Sequence, residues 1–241
     1  LILWIVFLAA LFLFFQRIYI LIRLLLLGKS ETRFDNLARR VMIFIKDIIV
    51  QIRHLREPLI GIAHFLIFWG FIILAIGFLN ILIEGLFPSL SISFITKNRY
   101  FLILQDFFIF LVFMGLIIAA IRRYILKPPH LESTFSATLI LLLIFFILLS
   151  LSLMEGFESV IEKQNSFSPI GGLFLNLFKN MDINLAKFWM NFSKWVHILL
   201  ILFFLVYIPY TKHLHLLASP FTAFFTSLKP RGALEKVELK E

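Results

Sequence analysis

The sequence predicts an all-α integral membrane protein: five transmembrane helices in a bundle, plus an amphipathic helix on the cytoplasmic surface. Three observations predict it. The 241 residues are 61% hydrophobic, 31 of them Phe, with a mean hydropathy of +0.99. Apolar residues gather in five runs of about twenty or more, the length that crosses a hydrocarbon core. Basic residues concentrate in alternate loops, as membrane orientation requires.

The first expected span covers residues 1–27 and carries Arg17 and Arg23 in its later half. It opens on Leu1 rather than Met, so a few preceding residues are expected. No small-residue cleavage site follows, and the run reads as an anchor rather than a cleaved signal. The second span, 58–83, has no formal charge; the third, 100–121, holds Asp106 near its start. The fourth, 133–154, is uncharged, and the fifth, 189–211, has Lys194 near its start and Pro209 near its end. Pro209 should kink the helix, which is free to continue beyond it. Segments 28–57, 122–132 and the tail from Lys212 carry seven, three and five Lys/Arg; segments 87–99 and 155–188 carry two and three. The N-terminus is therefore expected outside and the C-terminus in the cytoplasm. The net charge of +9 then serves topology and anionic lipid, not nucleic acid.

Within residues 34–53, Phe34, Leu37, Val41, Ile45, Ile48, Ile49 and Ile52 recur at helical spacing, with Arg39, Arg40, Lys46, Asp47 and Arg53 largely opposite. This predicts an interfacial helix with Asp35 as its cap. Solvated linker and partner-docking roles suit the same pattern.

The chain has no cysteine, which excludes thiolate metal sites and iron–sulfur clusters held by this chain alone. It has six histidines. An imidazole in hydrocarbon needs a partner and marks function. On one continuous helix His54 and His64 stand about 15 Å apart and some 80° apart in azimuth. His197 and His215 are five whole turns apart and share a face, whereas His213 points nearly opposite. Antiparallel spans two and five then pair His54 with His215 and His64 with His197, each pair supplying both axial ligands of one b-type haem. The mismatch between about 27 Å and about 15 Å has to be absorbed by tilt and by the Pro209 kink. Gly61, Gly70 and Gly77 in span two admit either a flat macrocycle or a neighbouring helix. His130, after Pro128 and Pro129, reads as an ordinary interfacial residue.

The histidine spacing, ten on the second span and eighteen on the fifth, resembles that of the dihaem gamma subunit of respiratory nitrate reductase. The stretches GKSETRFDNLARR, REPLIGIAHFLIFWGF and YIPYTKHLHLLASP are similar to the N-terminal membrane domain of heterodisulfide-reductase-like iron–sulfur oxidoreductases. Some of that family serve electron-transfer flavoprotein as menaquinone reductases. The resemblance covers essentially the whole chain. It implies a prokaryotic inner-membrane, quinone-linked oxidoreductase component with two haem b groups, ligated by His54, His64, His197 and His215. It further implies a cytoplasmic iron–sulfur partner, electron-transfer flavoprotein upstream of it, and menaquinone as substrate. Residues 1–228 would form the five-helix domain, and 229–241 a cytoplasmic tail or linker to an iron–sulfur domain or separate subunit.

Arg17, Arg23, Arg122 and Arg123 are candidate partners for haem propionates; as anchors they would instead snorkel to lipid phosphate. Quinone chemistry moves protons, and Glu84, Asp106 and Glu155 near the outer span ends are the candidate acids. Trp69, Trp189 and Trp195 suit a haem pocket or an interfacial belt. The competing classes are a haem-free transporter, against which no inverted repeat is found, and a passive anchor for a soluble enzyme.

Overall fold

The computed structural model describes residues 1–128, 135–163 and 167–228. His130 and the tail 229–241 lie outside them. Among the described residues five helices are long and apolar enough to cross a membrane. They are α1 (Ile2–Leu25), α3 (Pro58–Leu86), α5 (Arg99–Ala120, running on in a π-helical turn to Leu126), α6 (Phe135–Glu162) and α8 (Ile183–Tyr207). Among the described residues three short α-helices lie between them, α2 (Leu37–Phe44), α4 (Ser93–Thr96) and α7 (Pro169–Leu177), and α9 (His215–Phe224) follows the last.

The distribution of side chains is inverted relative to a water-soluble bundle. Phe12, Phe15, Phe71, Phe107, Phe110 and Phe203 are exposed, while Gln105, Asp106, Ser150, Glu155, Ser193 and His197 are buried. A lipid-facing surface has to be apolar, and polar groups at membrane depth find partners only inside the protein. Trp189 and Trp195 are each 40% exposed and face outward rather than into a pocket.

The tightest pairings are α6 with α8 and α3 with α5, with α1 lying against α8. Without a hydrophobic drive between helices in lipid, small residues that permit close approach do the work. A side chain at Gly70 would strike Val112, one at Gly77 would meet the Gln105 amide, and one at Gly115 would meet the Ala63 carbonyl. The α3 glycines at 70 and 77 therefore admit α5, not a macrocycle. Among the described residues α3 and α8, the two helices that carry the spans' histidines, are not a closely packed pair.

Four expectations change. The fourth span runs eight residues further, to Glu162, which carries Glu155 and Glu158 inside the helix. Residues 34–53 do not form one helix. α2 gives way to a π-helical turn at Ile45–Ile49, and Gln51 turns the chain with φ +57°. Asn36, not Asp35, caps α2 by accepting from the Arg39 amide. The Asp35 carboxylate instead takes Arg40 at 2.6 Å. Arg40 is not on a solvated face: it is 2% exposed and also donates to the Asp35, Phe224 and Thr226 carbonyls. It thereby pins the end of α9 to α2.

Candidate functional site

Two polar centres lie inside or at the rim of the bundle. The first is a histidine cluster at the end where α3 begins and α8 finishes. Proline at position 58 drives Glu57 out of helical geometry (φ −103°, ψ 92°) and starts α3 as its first residue. The preceding residues His54–Arg56 form a 3-10 turn that folds back on α3. His54 and His64 consequently stack in parallel with ring centres 4.5 Å apart. The expected separation of about 15 Å assumed a helix continuous through Pro58.

Gly61 makes the fold-back possible. A Cβ there would run into the backbone carbonyl of His54. Gly61→Ala is expected to push the turn off α3, at a cost of about 1–3 kcal/mol, read as a lower midpoint of thermal unfolding in detergent.

The other half of the cluster comes from beyond α8. The helix ends at Tyr207, a 3-10 turn holds Pro209, and Thr211 is extended. His215 then opens α9. The helical phase between His197 and His215 is therefore interrupted, and the geometric reason for preferring His215 over His213 does not apply. His215 lies 6.2 Å from His64, and His213 lies 5.8 Å from His215, centre to centre. His213 sits outside the span, half-buried. Burial, followed by the neighbouring His215 and Arg123, pushes its pKa down to about 4.

His197 stands apart. It is 2% exposed, its Nδ1 is within 3.0 Å of the Ile147 carbonyl and 3.1 Å of Ser150 Oγ, and its ring meets Phe78 edge-on. Fourteen residues of α3, about 21 Å of rise, separate Phe78 from His64. The expected juxtaposition of His64 with His197 is not the one found. Among the described residues no second imidazole lies against His197.

Three rings nevertheless share one device. His64 Nδ1 lies 2.8 Å from Gln51 Oε1, His215 Nδ1 lies 3.1 Å from the Lys212 carbonyl, and His197 Nδ1 is held by Ile147. A ring that donates Nδ1–H to an oxygen keeps its lone pair on Nε2, the usual arrangement of a metal-ligating imidazole. Two imidazoles on one ion stand with centres roughly 6 Å apart, given metal–nitrogen bonds of about 2 Å. The His64–His215 spacing matches this, so the cluster fits a bis-histidine group. The inner level, where His197 is the one imidazole among the described residues, presents one ligand.

Sequence reasoning missed Gln51, which is 2% exposed and holds His64 from a left-handed backbone while its own Nε2 lacks an acceptor. It also missed Ser150, one of two serines in a run of leucines. The four arginines all lie toward the histidine end, in different settings. Arg17 reaches the Pro209 carbonyl and stacks on Tyr210; Arg23 lies over Tyr19. Arg122 pairs with Glu57 at 2.8 Å, and Arg123 lines a cavity of about 270 Å³ with His213 and Ile60.

The second centre lies toward the opposite end of the bundle. Asp106 of α5 and Glu155 of α6 are 5% and 8% exposed and lie close enough for each carboxyl to bear on the other. Asp106 Oδ2 accepts from Ser168 Oγ and the Ile170 amide, and Glu155 Oε1 accepts from Gln105 Nε2. Glu84 is elsewhere. It accepts from Asn80 and Ser91, and with Asn80 it fastens the loop after α3.

The chain matches no family model and no solved structure. It is similar to two curated proteins. One is the probable iron-sulfur-binding oxidoreductase FadF of Bacillus subtilis, 30% identical over 217 residues, covering 89% of this chain and 31% of that protein. The other is the EtfAB:quinone oxidoreductase of Syntrophomonas wolfei, 31% identical over 220 residues, covering 85% of this chain and 30% of that protein. The chain thus spans just under a third of the length of the curated relatives it matches, and that third contains five membrane-length helices and both polar centres.

Proposed function

We propose that the chain is the membrane electron-transfer module of a quinone-linked oxidoreductase, exchanging electrons with an iron–sulfur partner through two b-type haems. The observation that carries it is the set of imidazoles at two depths whose Nδ1 is tied to an oxygen and whose Nε2 is left for a metal. The names of the two relatives supply the partner and substrate classes, an iron–sulfur-binding oxidoreductase and an EtfAB:quinone oxidoreductase. Menaquinone as the quinone and electron-transfer flavoprotein upstream belong to the same proposal. A passive anchor would have no use for Gln51, Ser150 and Ile147 as orienters of buried rings.

His64 and His215 would hold one haem at the basic end, with His54 and His213 beside them, and His197 would supply a ligand to the second. When bound, such a group passes single electrons and its potential follows axial ligation, hydrogen bonding and burial. The protein's own share is fixed by its residues. Gln51, Lys212 and Ile147 orient the rings, the α3–α5 glycines close the bundle, and Phe78 keeps water from His197. The positive-inside rule, applied to the basic loops, supports a cytoplasmic histidine end, where a soluble iron–sulfur partner would reach it.

The test is chemical reduction by the substrate class. Purified chain in lipid vesicles is expected to show b-type haem absorbance that a menaquinol analogue reduces. Haem absorbance that dithionite reduces and quinol leaves oxidised would remove the quinone from the proposal.

A further inference from the structure

We infer that Asp106 and Glu155 hold one proton between them and form the entry to a proton path that leaves the bundle along Glu158 and Glu162. Asp106 Oδ1 and Glu155 Oε2 are both buried without a hydrogen-bond partner. Each remaining oxygen of the pair is already satisfied by Ser168, Ile170 or Gln105. Two carboxylates in contact inside an apolar bundle do not both stay ionised. One proton placed between them gives both orphaned oxygens a partner and leaves the pair with a single negative charge.

The way out is written on α6. Glu155, Glu158 and Glu162 follow at i, i+3 and i+7, which puts them on one helix face. Their exposure is graded: Glu155 is buried, the Glu158 side chain is 42% exposed, and Glu162 is exposed. Lys97 lies 3.7 Å from Glu158, and Lys194 of α8 also acts on it. These two cations offset part of what burial and the neighbouring Glu162 cost a negative charge there. Between this centre and His197, one turn up α8, Ser193 carries a third buried polar atom without a partner. Ser150, which touches His197, is five residues or about 7.5 Å of rise below Glu155 on α6. The acid pair and the buried imidazole therefore share one stretch of the bundle.

The step balances simply. A proton released inside the bundle bonds to the ionised carboxylate of the pair, which then carries two protons and no charge. The pair returns to one proton when Glu155 hands one to the Glu158 carboxylate, which passes it to Glu162 and water. Uptake is the reverse. That a quinol is the proton donor rests on the function proposed above; the shared proton and its path do not.

The test is infrared spectroscopy of the whole chain in lipid at neutral pH. A protonated-carboxyl stretch that shifts in deuterated water is expected. Carbon-13 labelling of glutamate is expected to move it, and Glu155→Gln to abolish it. Glu158→Gln is expected to slow its deuterium exchange about tenfold or more, since a positioned carboxyl is lost from the relay. A folded wild-type protein with no such band overturns the shared proton, as does a band that survives in Glu155→Gln. Exchange unchanged in Glu158→Gln overturns the path. All of these readings are independent of haem content, so failure of the redox proposal is seen separately.

Discussion

Replacing His197 by alanine is expected to remove one b-type haem and leave the other, and replacing His215 is expected to remove the one that His197→Ala leaves. Either change should lower pyridine-haemochrome haem by about half, since each takes an axial ligand from a different iron. The reason is spatial. His215 belongs to the rim cluster, while His197 is buried against Ser150 and Phe78. His64→Ala then assigns the third ligand. The structure seats His64 beside His215, so the two variants should lose the same haem, whereas the helical spacing alone pairs His64 with His197. Preserved helicity by circular dichroism separates ligand loss from misfolding. Loss of both haems from His197→Ala with the fold intact would contradict two independent sites.

The largest structural effect is expected at Arg40. Its guanidinium serves the Asp35 carboxylate and the Asp35, Phe224 and Thr226 carbonyls from a position 2% exposed. Arg40→Ala leaves those acceptors without their charged donor, at a cost of about 2–4 kcal/mol. The consequence should be local. α9 comes loose from α2, and His215 at the start of α9 loses its fixed place beside His64. Limited proteolysis should then cut between residues 211 and 228, sites that the wild-type chain protects. Arg40→Lys should rescue little, because one ammonium cannot reproduce a planar fork serving two directions. The contact is indifferent to pH in the ordinary range. The hydrogen bond from Arg40 holds the Asp35 carboxyl below its usual 3.8. A carboxyl with a depressed folded value contributes above 3.8 and loses its contribution only as pH falls through that lower value. Acidification from neutrality to about pH 5 should leave the protease pattern unchanged.

Much of the fold was legible because membrane-length apolar runs leave few alternatives. The five spans, the Glu57–Pro58 start of α3 and the interruption near Pro209 are all written locally. What the sequence hid follows from the same interruptions. A helical-phase argument for His54 and His215 presumes an unbroken helix. Each of these residues instead sits across a break, at Pro58 and at Thr211, so both swing to the rim beside His64. Arg40 looked solvated because one-dimensional amphipathicity cannot show α9 arriving to cover it. Gln51 and Ser150 gave no signal, since a polar side chain that orients a ring is recognised only once the ring is beside it. Asp106 and Glu155 were visible as singular acids near the outer span ends. Their mutual contact depends on the packing of α5, α6 and α7, which no spacing encodes.

The central claim, that this chain carries electrons on histidine-held haem within the membrane, is tested most directly by a reduced-minus-oxidised visible spectrum of the purified chain with pyridine-haemochrome quantitation. Two b-type haems per chain is the expected result. A well-folded preparation, supplied with haem during expression and purified without any, would contradict it.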